Sequence, residues 1–249
     1  MNLRPAHEHS AKVEAFQRRH RTGLLTLVFT DIIGSGKIKQ ALGDQAGVTS
    51  IQQHHAVVRE LLSQFPQGQE IDTAGDSFFL MFVNPSDAVR FALLLQARLR
   101  TLAKESAHPV LDRIGIHIGE VIIEQAEGTA KPQHLFGAQV DICSRVMALA
   151  GPGQILLTRS AFDIARQALR GDELRGLNEL QWLNYGPYAV KGVEEPVEIC
   201  EVGESGQACF QAPADEEKAQ RKVSPESEPV LGWRPAVDQL VPKTQWKLE

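Results

Sequence analysis

The amino-acid sequence predicts an α+β fold, in which a mixed, largely antiparallel sheet is covered by helices. The run Leu24–Thr30 is almost continuously apolar, which is typical of a strand buried on both faces. Residues 69–83 hold a short segment around Ile71 and an apolar run over 78–83, on either side of a turn that contains Gly75, and this pattern predicts a hairpin. Segments with helical spacing separate these strands from later ones, which indicates the α+β class.

Four helices are predicted from the spacing of apolar residues and from signals at the helix ends. The first stops at Pro66, the second is opened by the Asn-Pro-Ser-Asp segment 84–87, and the third is ended by the Gly-Pro-Gly segment 151–153. The predicted helices are Ala46–Phe65, Ala88–Ala103, Gly137–Ala150 and Ala161–Leu169.

The remaining strands are predicted from short apolar or alternating segments. Alternation around Ile114–Gly119 predicts a strand pair within Val110–Glu124, and the polar segment Glu127–His134 is predicted to be a loop. Further strands are predicted at Gln154–Thr158, Tyr188–Gly192 and Val197–Val202, the last two as a closing pair.

Composition divides the chain into three parts. Residues 1–22 are a polar lead-in, residues 23–203 hold the predicted elements as one domain, and residues 204–249 are rich in Pro, Ser, Glu, Lys and Gln. The last part is therefore predicted to be a linker or tail.

The overall composition excludes several classes of protein. The 249 residues carry a formal charge of −5, which argues against a general nucleic-acid binder. The three cysteines are scattered, so neither a disulfide framework nor a zinc site is expected. The N-terminal segment lacks the apolar core of a signal peptide, and no run approaches the roughly 18 apolar residues of a membrane span. We therefore expect a cytoplasmic protein with no membrane contact.

Two aspartates lie in contexts that favour metal binding. Asp31 ends the first apolar run and precedes a glycine-containing turn, and Asp76 lies at the tip of the predicted hairpin. Carboxylates at such positions can place hard oxygen ligands on a pair of Mg²⁺-type ions, and the glycines let the backbone approach a polyphosphate. Each aspartate alone is more often structural. Together they predict metal-assisted phosphoryl or nucleotidyl transfer.

Three further features accompany the aspartates. Asp141 and Arg145 lie one turn apart on the third predicted helix, and His134 precedes that helix. Lys191 ends a late strand, where its charge could meet a triphosphate. Taken singly, Asp141 and Arg145 would be a surface ion pair and Lys191 a solvated turn residue.

In this order, the segments resemble the catalytic domain of the class III nucleotide cyclases, the adenylate and guanylate cyclases. The resemblance runs from about Leu24 to Val202 and rests on the motifs FTDIIGS, DTAGDSF, FGAQVDICSR and VKG. It implies a ferredoxin-like core, ATP or GTP as substrate, and a head-to-tail homodimer with active sites at the interface.

The resemblance also implies roles for individual residues. By position, Asp31 and Asp76 correspond to the metal-binding carboxylates of a site with two Mg²⁺ or Mn²⁺ ions, and the Ile32 carbonyl corresponds to a further ligand. The backbone expected to face the phosphates belongs to the turn residues Ile33, Gly34 and Ser35.

Two cations complete the implied site, both supplied by the partner subunit. Arg145 corresponds to the arginine that stabilises the transition state, and Lys191 to the lysine that binds the triphosphate. The implied reaction is in-line attack of the ribose 3′-hydroxyl on the α-phosphorus, with pyrophosphate leaving and no covalent enzyme intermediate. Removing a donor such as Arg145 typically costs ~3–4 kcal/mol of transition-state stabilisation.

Three positions depart from the family pattern. Asp72 stands where the family carries Lys for ATP or Glu for GTP, and His134 occupies the second base-reading position. A carboxylate accepts hydrogen bonds from N1 and N2 of guanine, so Asp72 favours GTP, but both bases stay open. Asp141 replaces an Asn, and its charge is unfavourable beside a triphosphate unless Arg145 pairs with it.

Two alternative interpretations stay open, together with one suspicion about the chain end. A diguanylate cyclase is disfavoured because Ser77 follows Asp76 where that family needs an acidic residue. The second alternative is a catalytically weak or degenerate cyclase module that serves nucleotide sensing or dimerisation and regulates a fused or partner domain. The segments 233–235 and Val241–Glu249 resemble the approach to the first strand of a Ser/Thr protein kinase, as in a bacterial cyclase–kinase fusion.

Overall fold

The computed structural model describes residues 20–36, 40, 43–105, 109–125, 132–171, 174 and 176–222. These residues form nine strands and four helices, and the mixed, largely antiparallel sheet confirms the predicted fold class. The strands are β1 (His20–Ile32), β2 (Gly68–Ala74), β3 (Ser77–Phe82), β4 (Asp112–Gln125), β5 (Pro132–Phe136), β6 (Ile155–Thr158), β7 (Leu180–Val190), β8 (Val197–Glu204) and β9 (Ala219–Arg221). The helices are α1 (Asp44–Leu62), α2 (Pro85–Glu105), α3 (Ala138–Leu149) and α4 (Arg159–Ala168).

The strands form one sheet in the order β2-β3-β1-β4-β6-β8-β7-β9, and β5 pairs with the end of β4. Only β4 and β6 pair in parallel; the other pairs are antiparallel. β1 pairs with β4 along its full length, from His20 opposite Glu124 to Ile32 opposite Asp112. This register places Asp31 directly opposite Arg113.

The two faces of the sheet are covered differently. One face packs against α1, α2 and α4 around the buried side chains of Val28, Leu80 and Phe91. The other face carries α3, whose buried Ile142, Cys143 and Val146 pack on neighbouring strands. Because both faces are covered, the central strand β1 is almost continuously apolar, as its sequence predicted.

Helix α3 lies unusually close to β4. A Cβ added at Gly115 would come within 2.3 Å of the Met147 backbone nitrogen, and one at Gly119 within 2.6 Å of Gln139 Cγ. The predicted strand pair within Val110–Glu124 is therefore wrong, since β4 is one continuous strand. Gly115 and Gly119 lie where α3 packs directly on β4, and neither residue forms a turn.

Other differences concern the end of the predicted loop and the tail. His134 lies within β5 rather than in a loop, while residues 126–131 are outside the described part of the chain. β7 begins at Leu180, eight residues before the predicted strand. The first part of the predicted linker, residues 205–222, packs on the domain and ends in β9. Residues 223–249, including the kinase-like segment, and most of the lead-in are outside the described residues.

The predicted helices are confirmed, with ends that shift by at most three residues. Within the described part of the chain, none of these helices is long and apolar enough to cross a membrane.

Candidate active site

Asp31 and Asp76 line the same cavity, which has a volume of about 650 Å³. The end of β1 and the turn that follows it form one side. Gly34 has a φ of 74°, and the Ile33 N–H donates to the Leu111 carbonyl at 2.9 Å, which fixes the turn. The Ile33 N–H is therefore already used, so any backbone donors that this turn offers to a ligand come from residues 34–36.

The carboxylate of Asp31 is held by two neighbouring strands. Ser77 Oγ donates to Oδ1 at 2.5 Å, and Arg113 donates to Oδ2 from Nε at 3.0 Å and from Nη2 at 2.7 Å. The side chains of Asp31 and Arg113 are 16 % and 29 % exposed, so the pair is partly shielded from bulk water. Arg113 also reaches the Ala148 carbonyl at the end of α3. These contacts fix the direction in which Asp31 faces the cavity.

The hairpin tip that carries Asp76 is held from α1. Gly75 turns the chain with a φ of 65°, and the Nε2–H of His55 donates to the Gly75 carbonyl at 3.0 Å. His55 also packs edge-on against Phe78, with ring centroids 4.9 Å apart. Burial lowers the pKa of His55, so the neutral ring is the donor at neutral pH. Asp76 itself accepts no hydrogen bond from the described residues.

A buried polar cluster lies beneath the cavity. Asp112 is fully buried, and its Oδ2 accepts from the Thr30 hydroxyl and lies 2.8 Å from His54 Nε2. Its carbonyl accepts from Gln96 Nε2 at 3.0 Å. Because Thr30 and Asp112 are the chain neighbours of Asp31 and Arg113, this cluster supports the strand ends that carry the ion pair.

Arg145 and Lys191 lie next to each other, in a second group. Nη1 of Arg145, on α3, donates to the carbonyl oxygen of Lys191, and Gly192 follows in a turn with a φ of 79°. A Cβ at Gly192 would come within 3.4 Å of that guanidinium. The ammonium group of exposed Lys191 makes no hydrogen bond or ion pair with a described residue. Neither cation lines the cavity that holds Asp31 and Asp76.

Asp141 does not pair with Arg145. In the described part of the chain, no hydrogen bond or ion pair joins their side chains, and Arg145 turns to Lys191 instead. The Asp141 carbonyl accepts from the Ser144 hydroxyl at 2.9 Å, and its carboxylate is exposed. Asp141 therefore does not orient Arg145 through an ion pair in the described part of the chain, and its role stays a prediction.

The two candidate base-reading residues lie on nearby strands. Asp72 on β2 is exposed, and its Oδ1 accepts from the Thr73 backbone N–H at 2.8 Å. His134 on β5 is also exposed. Their chain neighbours Ile71 and Leu135 pack in one apolar cluster, which brings the two strands together. Neither base-reading candidate lines the cavity of Asp31 and Asp76.

Sequence reasoning missed several residues around this cavity. Arg113, which pairs with Asp31, is a single basic residue near the start of a strand and has no local signature. Its only sequence signal is the β1–β4 register, which places it opposite Asp31. Ser77 and His55 support the two aspartates in the same long-range way. Six residues between positions 209 and 216, in the segment predicted to be a linker, also line the cavity.

The sheet topology, with Asp31 and Asp76 on one cavity, corresponds to the fold of the class III nucleotide cyclases. Residues 18–199 match the family model described as the adenylate and guanylate cyclase catalytic domain. The chain therefore belongs to this family. It is 28 % identical over 214 residues to the receptor-type adenylate cyclase GRESAG 4.3 of Trypanosoma brucei brucei, and 24 % identical over 190 residues to the putative adenylate cyclase 3 of Rhizobium meliloti.

The matched regions make up 72 % and 75 % of this chain but only 17 % and 28 % of those two relatives. Among solved structures, the adenylyl cyclase CyaB from P. aeruginosa is similar with a TM-score of 0.64 at 18 % identity, over 75 % of this chain and 96 % of that one. A non-canonical dimeric guanylyl cyclase domain from the aquatic fungus Blastocladiella emersonii gives a TM-score of 0.57 at 16 % identity, over 73 % of this chain and 97 % of that one. These structural similarities support the fold.

Proposed function

We propose that this domain converts a purine nucleoside triphosphate, GTP or ATP, into the 3′,5′-cyclic monophosphate and pyrophosphate, and so produces an intracellular signal. The observation that carries the proposal is the shared cavity: Asp31, Asp76 and Arg113 line it together with the turn after β1. Its volume of about 650 Å³ lies within the range of roughly 300–1,000 Å³ that small-molecule sites occupy. The cavity belongs to a chain of the cyclase family.

We propose that the two carboxylates of the cavity would serve two divalent ions of the Mg²⁺ or Mn²⁺ type. Asp31 accepts three hydrogen bonds out of about four lone-pair sites, and Asp76 accepts none from the described residues. Within the same residues, no group of three or more His, Cys, Asp or Glu side chains could hold a metal. A site with two carboxylates suits Mg²⁺, which takes its other ligands from phosphates and water.

Asp31, Asp76 and the Ile32 carbonyl would hold the ions. When bound, the ions would lower the pKa of the ribose 3′-hydroxyl and neutralise the leaving pyrophosphate. The chain's own part is to position the triphosphate. The N–H groups of the turn after β1 face the phosphates, and Arg113 places a fixed guanidinium fork beside Asp31, where it can meet phosphate oxygens.

We further propose that two copies of the chain share each active site, arranged head to tail. Arg145 and Lys191 contact each other but do not line the cavity of Asp31 and Asp76. A single chain therefore holds two groups of catalytic residues in separate places. In the head-to-tail arrangement, Arg145 of one copy would stabilise charge on the α-phosphoryl oxygens bound to the other copy.

Base recognition is proposed for Asp72 and His134, which are exposed and lie on strands whose residues Ile71 and Leu135 share an apolar cluster. Asp72 favours guanine because a carboxylate only accepts hydrogen bonds. A nucleotide-sensing module without turnover is the second candidate. It is favoured by the unpaired carboxylate of Asp141, one turn before Arg145 on α3.

The direct test is product formation by the purified protein with ATP or GTP and with Mg²⁺ or Mn²⁺, followed by mass spectrometry. We expect cyclic nucleotide and an equal amount of pyrophosphate. Asp31→Asn and Asp76→Asn should each remove turnover and keep the folded circular-dichroism spectrum. Asp87→Asn, a matched change in an ion pair on α2, should keep activity. Nucleotide binding without product would favour the sensing module, and more than a few per cent of activity in Asp31→Asn would remove the metal assignment.

A further inference from the structure

Residues 205–222, which we call the strap, follow β8 and lie beyond the residues that match the family model. The strap nevertheless returns to the cavity of Asp31 and Asp76. It contributes six of the residues that line this cavity: Cys209, Gln211, Ala212, Pro213, Ala214 and Glu216. The cavity wall is thus built partly from a segment whose composition predicted a linker.

The first anchor of the strap is a buried polar network. Gln154 is 3 % exposed, and its Nε2 donates to the Gln211 carbonyl at 2.8 Å and to Glu201 Oε2 at 2.6 Å. The hydroxyl of Tyr185 donates to the same carboxylate oxygen. Phe210 adopts a φ of 46°, which a non-glycine residue keeps only when its surroundings hold it there.

The second anchor is a buried tyrosine. Tyr188 is fully buried, and its hydroxyl donates to the Pro213 carbonyl at 3.1 Å. The strap residues Ala212 and Ala219 pack into the apolar cluster that contains Val146 of α3. These contacts hold the strap against the helix that carries Arg145.

The third anchor is strand pairing at the other end of the strap. β9 pairs with β7, and the Lys191 N–H donates to the Lys218 carbonyl at 2.8 Å. The carbonyl of Lys191 in turn accepts from Arg145. The strap therefore connects the cavity of Asp31 to the Arg145–Lys191 pair within one chain.

The cavity stays open with the strap in place. Its volume of about 650 Å³ includes the strap as a wall, and this volume suits a nucleotide. A segment that blocked the site would fill this space. The anchors also reach buried partners at three separate points, as expected of a built wall.

We propose that the strap is a positioning element of the nucleotide site: docked on Gln154 and Tyr188, it forms one wall of the nucleotide cavity. The inference rests on the proposed function in one respect, that the cavity binds a nucleoside triphosphate. It adds that binding requires residues beyond the matched catalytic domain. It also adds that nucleotide in the cavity and docking of the strap stabilise each other.

Cys209 offers a native probe, because it is exposed on the strap whereas Cys143 and Cys200 are buried. Iodoacetamide labelling of Cys209 in the whole protein would be followed by peptide mass spectrometry. The probes are 3′-deoxy-GTP and 3′-deoxy-ATP with Mn²⁺, which lack the attacking hydroxyl and cannot cyclise. We expect at least fivefold slower labelling at saturating probe, and no such slowing with Mn²⁺ alone.

The outcomes separate the two proposals. Labelling at an unchanged rate, with probe binding established by calorimetry, would overturn the strap and leave the cyclase proposal standing. No probe binding would overturn both. If Cys209 is protected in a protein that binds the probe but makes no cyclic nucleotide, the role of the strap would be supported and the proposed cyclase activity would be overturned.

A second measurement uses Tyr188→Phe, which removes only the hydroxyl that holds Pro213. We expect KM for the nucleotide to rise about three- to tenfold, as the loss of one hydrogen bond predicts, with kcat within twofold. Cys209 labelling should become faster in the free enzyme. Thr101→Val removes a comparable hydroxyl contact on the exposed side of α2 and should change neither value. An unchanged KM, or a higher kcat/KM, would overturn the role of the strap as a wall.

Discussion

The guanidinium of Arg113 holds the carboxylate of Asp31 through two hydrogen bonds, from Nε at 3.0 Å and from Nη2 at 2.7 Å. The two residues are direct neighbours in the β1–β4 register. The strand pairing therefore sets the position of an aspartate proposed to bind metal and of a cation proposed to bind phosphate. Both side chains face one cavity, so their charges balance before a nucleotide arrives.

This pairing predicts a distinctive effect of Arg113→Lys. Lysine keeps the charge but loses the planar fork, so it cannot replace both hydrogen bonds to Asp31. We expect KM for the nucleotide to rise about tenfold, because the cation no longer has a fixed direction. Steady-state kinetics measure this, and Arg90→Lys, in a surface pair on α2, is the matched control. Wild-type kinetics in Arg113→Lys would contradict a role in phosphate binding.

The close packing of α3 on β4 predicts that Gly115→Ala is destabilising. The new methyl group would lie 2.3 Å from the Met147 backbone nitrogen, so the helix itself has to move. Overpacking of this kind typically costs about 1–3 kcal/mol of unfolding free energy. Because α3 also carries Arg145, we expect activity to fall further than the folded fraction does. Urea denaturation and kinetics measure the two effects.

Gly119→Ala is the comparison for this helix position. Its methyl group would meet the side chain of Gln139, which can rotate away at the cost of its hydrogen bond to His117. The loss of stability should therefore be smaller than at Gly115. If both variants lose the same unfolding free energy, the closeness of the Met147 backbone does not determine the cost at Gly115.

Asp72 predicts the preferred base. If its carboxylate reads guanine, GTP should exceed ATP in kcat/KM, and Asp72→Lys should shift the ratio toward ATP. A change in one hydrogen bond of a binding pocket typically moves discrimination by ~1–3 kcal/mol. Competition assays with both nucleotides measure the ratio. An unchanged ratio in Asp72→Lys would show that this residue does not face the base.

Glu201 predicts a pH dependence of stability. Burial raises the pKa of its carboxyl above the ordinary value of 4.5, although the hydrogen bonds from Tyr185 and Gln154 act to lower it. The folded protein then holds this proton more tightly than the unfolded chain does. The stability that this provides is complete below pH 4.5 and is lost as pH rises through the raised pKa.

Glu201→Gln removes this titration and keeps an oxygen acceptor for Tyr185. We expect the variant to gain unfolding free energy relative to the native protein as pH rises from about 4.5 towards 8. Denaturant unfolding at several pH values measures the difference. A difference that does not change with pH would contradict a raised pKa for the buried carboxyl.

The sequence predicted most elements because their patterns are local. The apolar run of β1, the Gly75 hairpin and the helix stop before Pro66 each result from interactions within a few residues. The strand β4 was divided wrongly because glycine within an alternating run resembles a turn signal, whereas Gly115 and Gly119 are glycines because α3 packs on them. That reason depends on Met147 and Gln139, which lie 32 and 20 positions further along the chain than Gly115 and Gly119.

In the candidate site too, residues with a local sequence pattern were recognisable, whereas residues placed by long-range contacts were not. Asp31 and Asp76 are recognisable from their neighbours, and the structure places both on one cavity. Arg113 becomes recognisable only through strand register, and the strap only through its tertiary anchors. The i, i+4 spacing of Asp141 and Arg145 allows an ion pair, but Arg145 bonds to the Lys191 carbonyl, a long-range contact that helical spacing does not indicate.

The composite active site is the central claim, and complementation between inactive variants tests it most directly. Asp31→Asn lacks a proposed metal ligand, and Arg145→Ala lacks the proposed transition-state cation. Each variant alone has no complete site. Random pairing makes half of the dimers mixed, and each mixed dimer regains one of two sites, so the mixture should recover about a quarter of native activity. If the mixture stays inactive while light scattering shows dimers, Asp31 and Arg145 act within one chain and the shared site is contradicted.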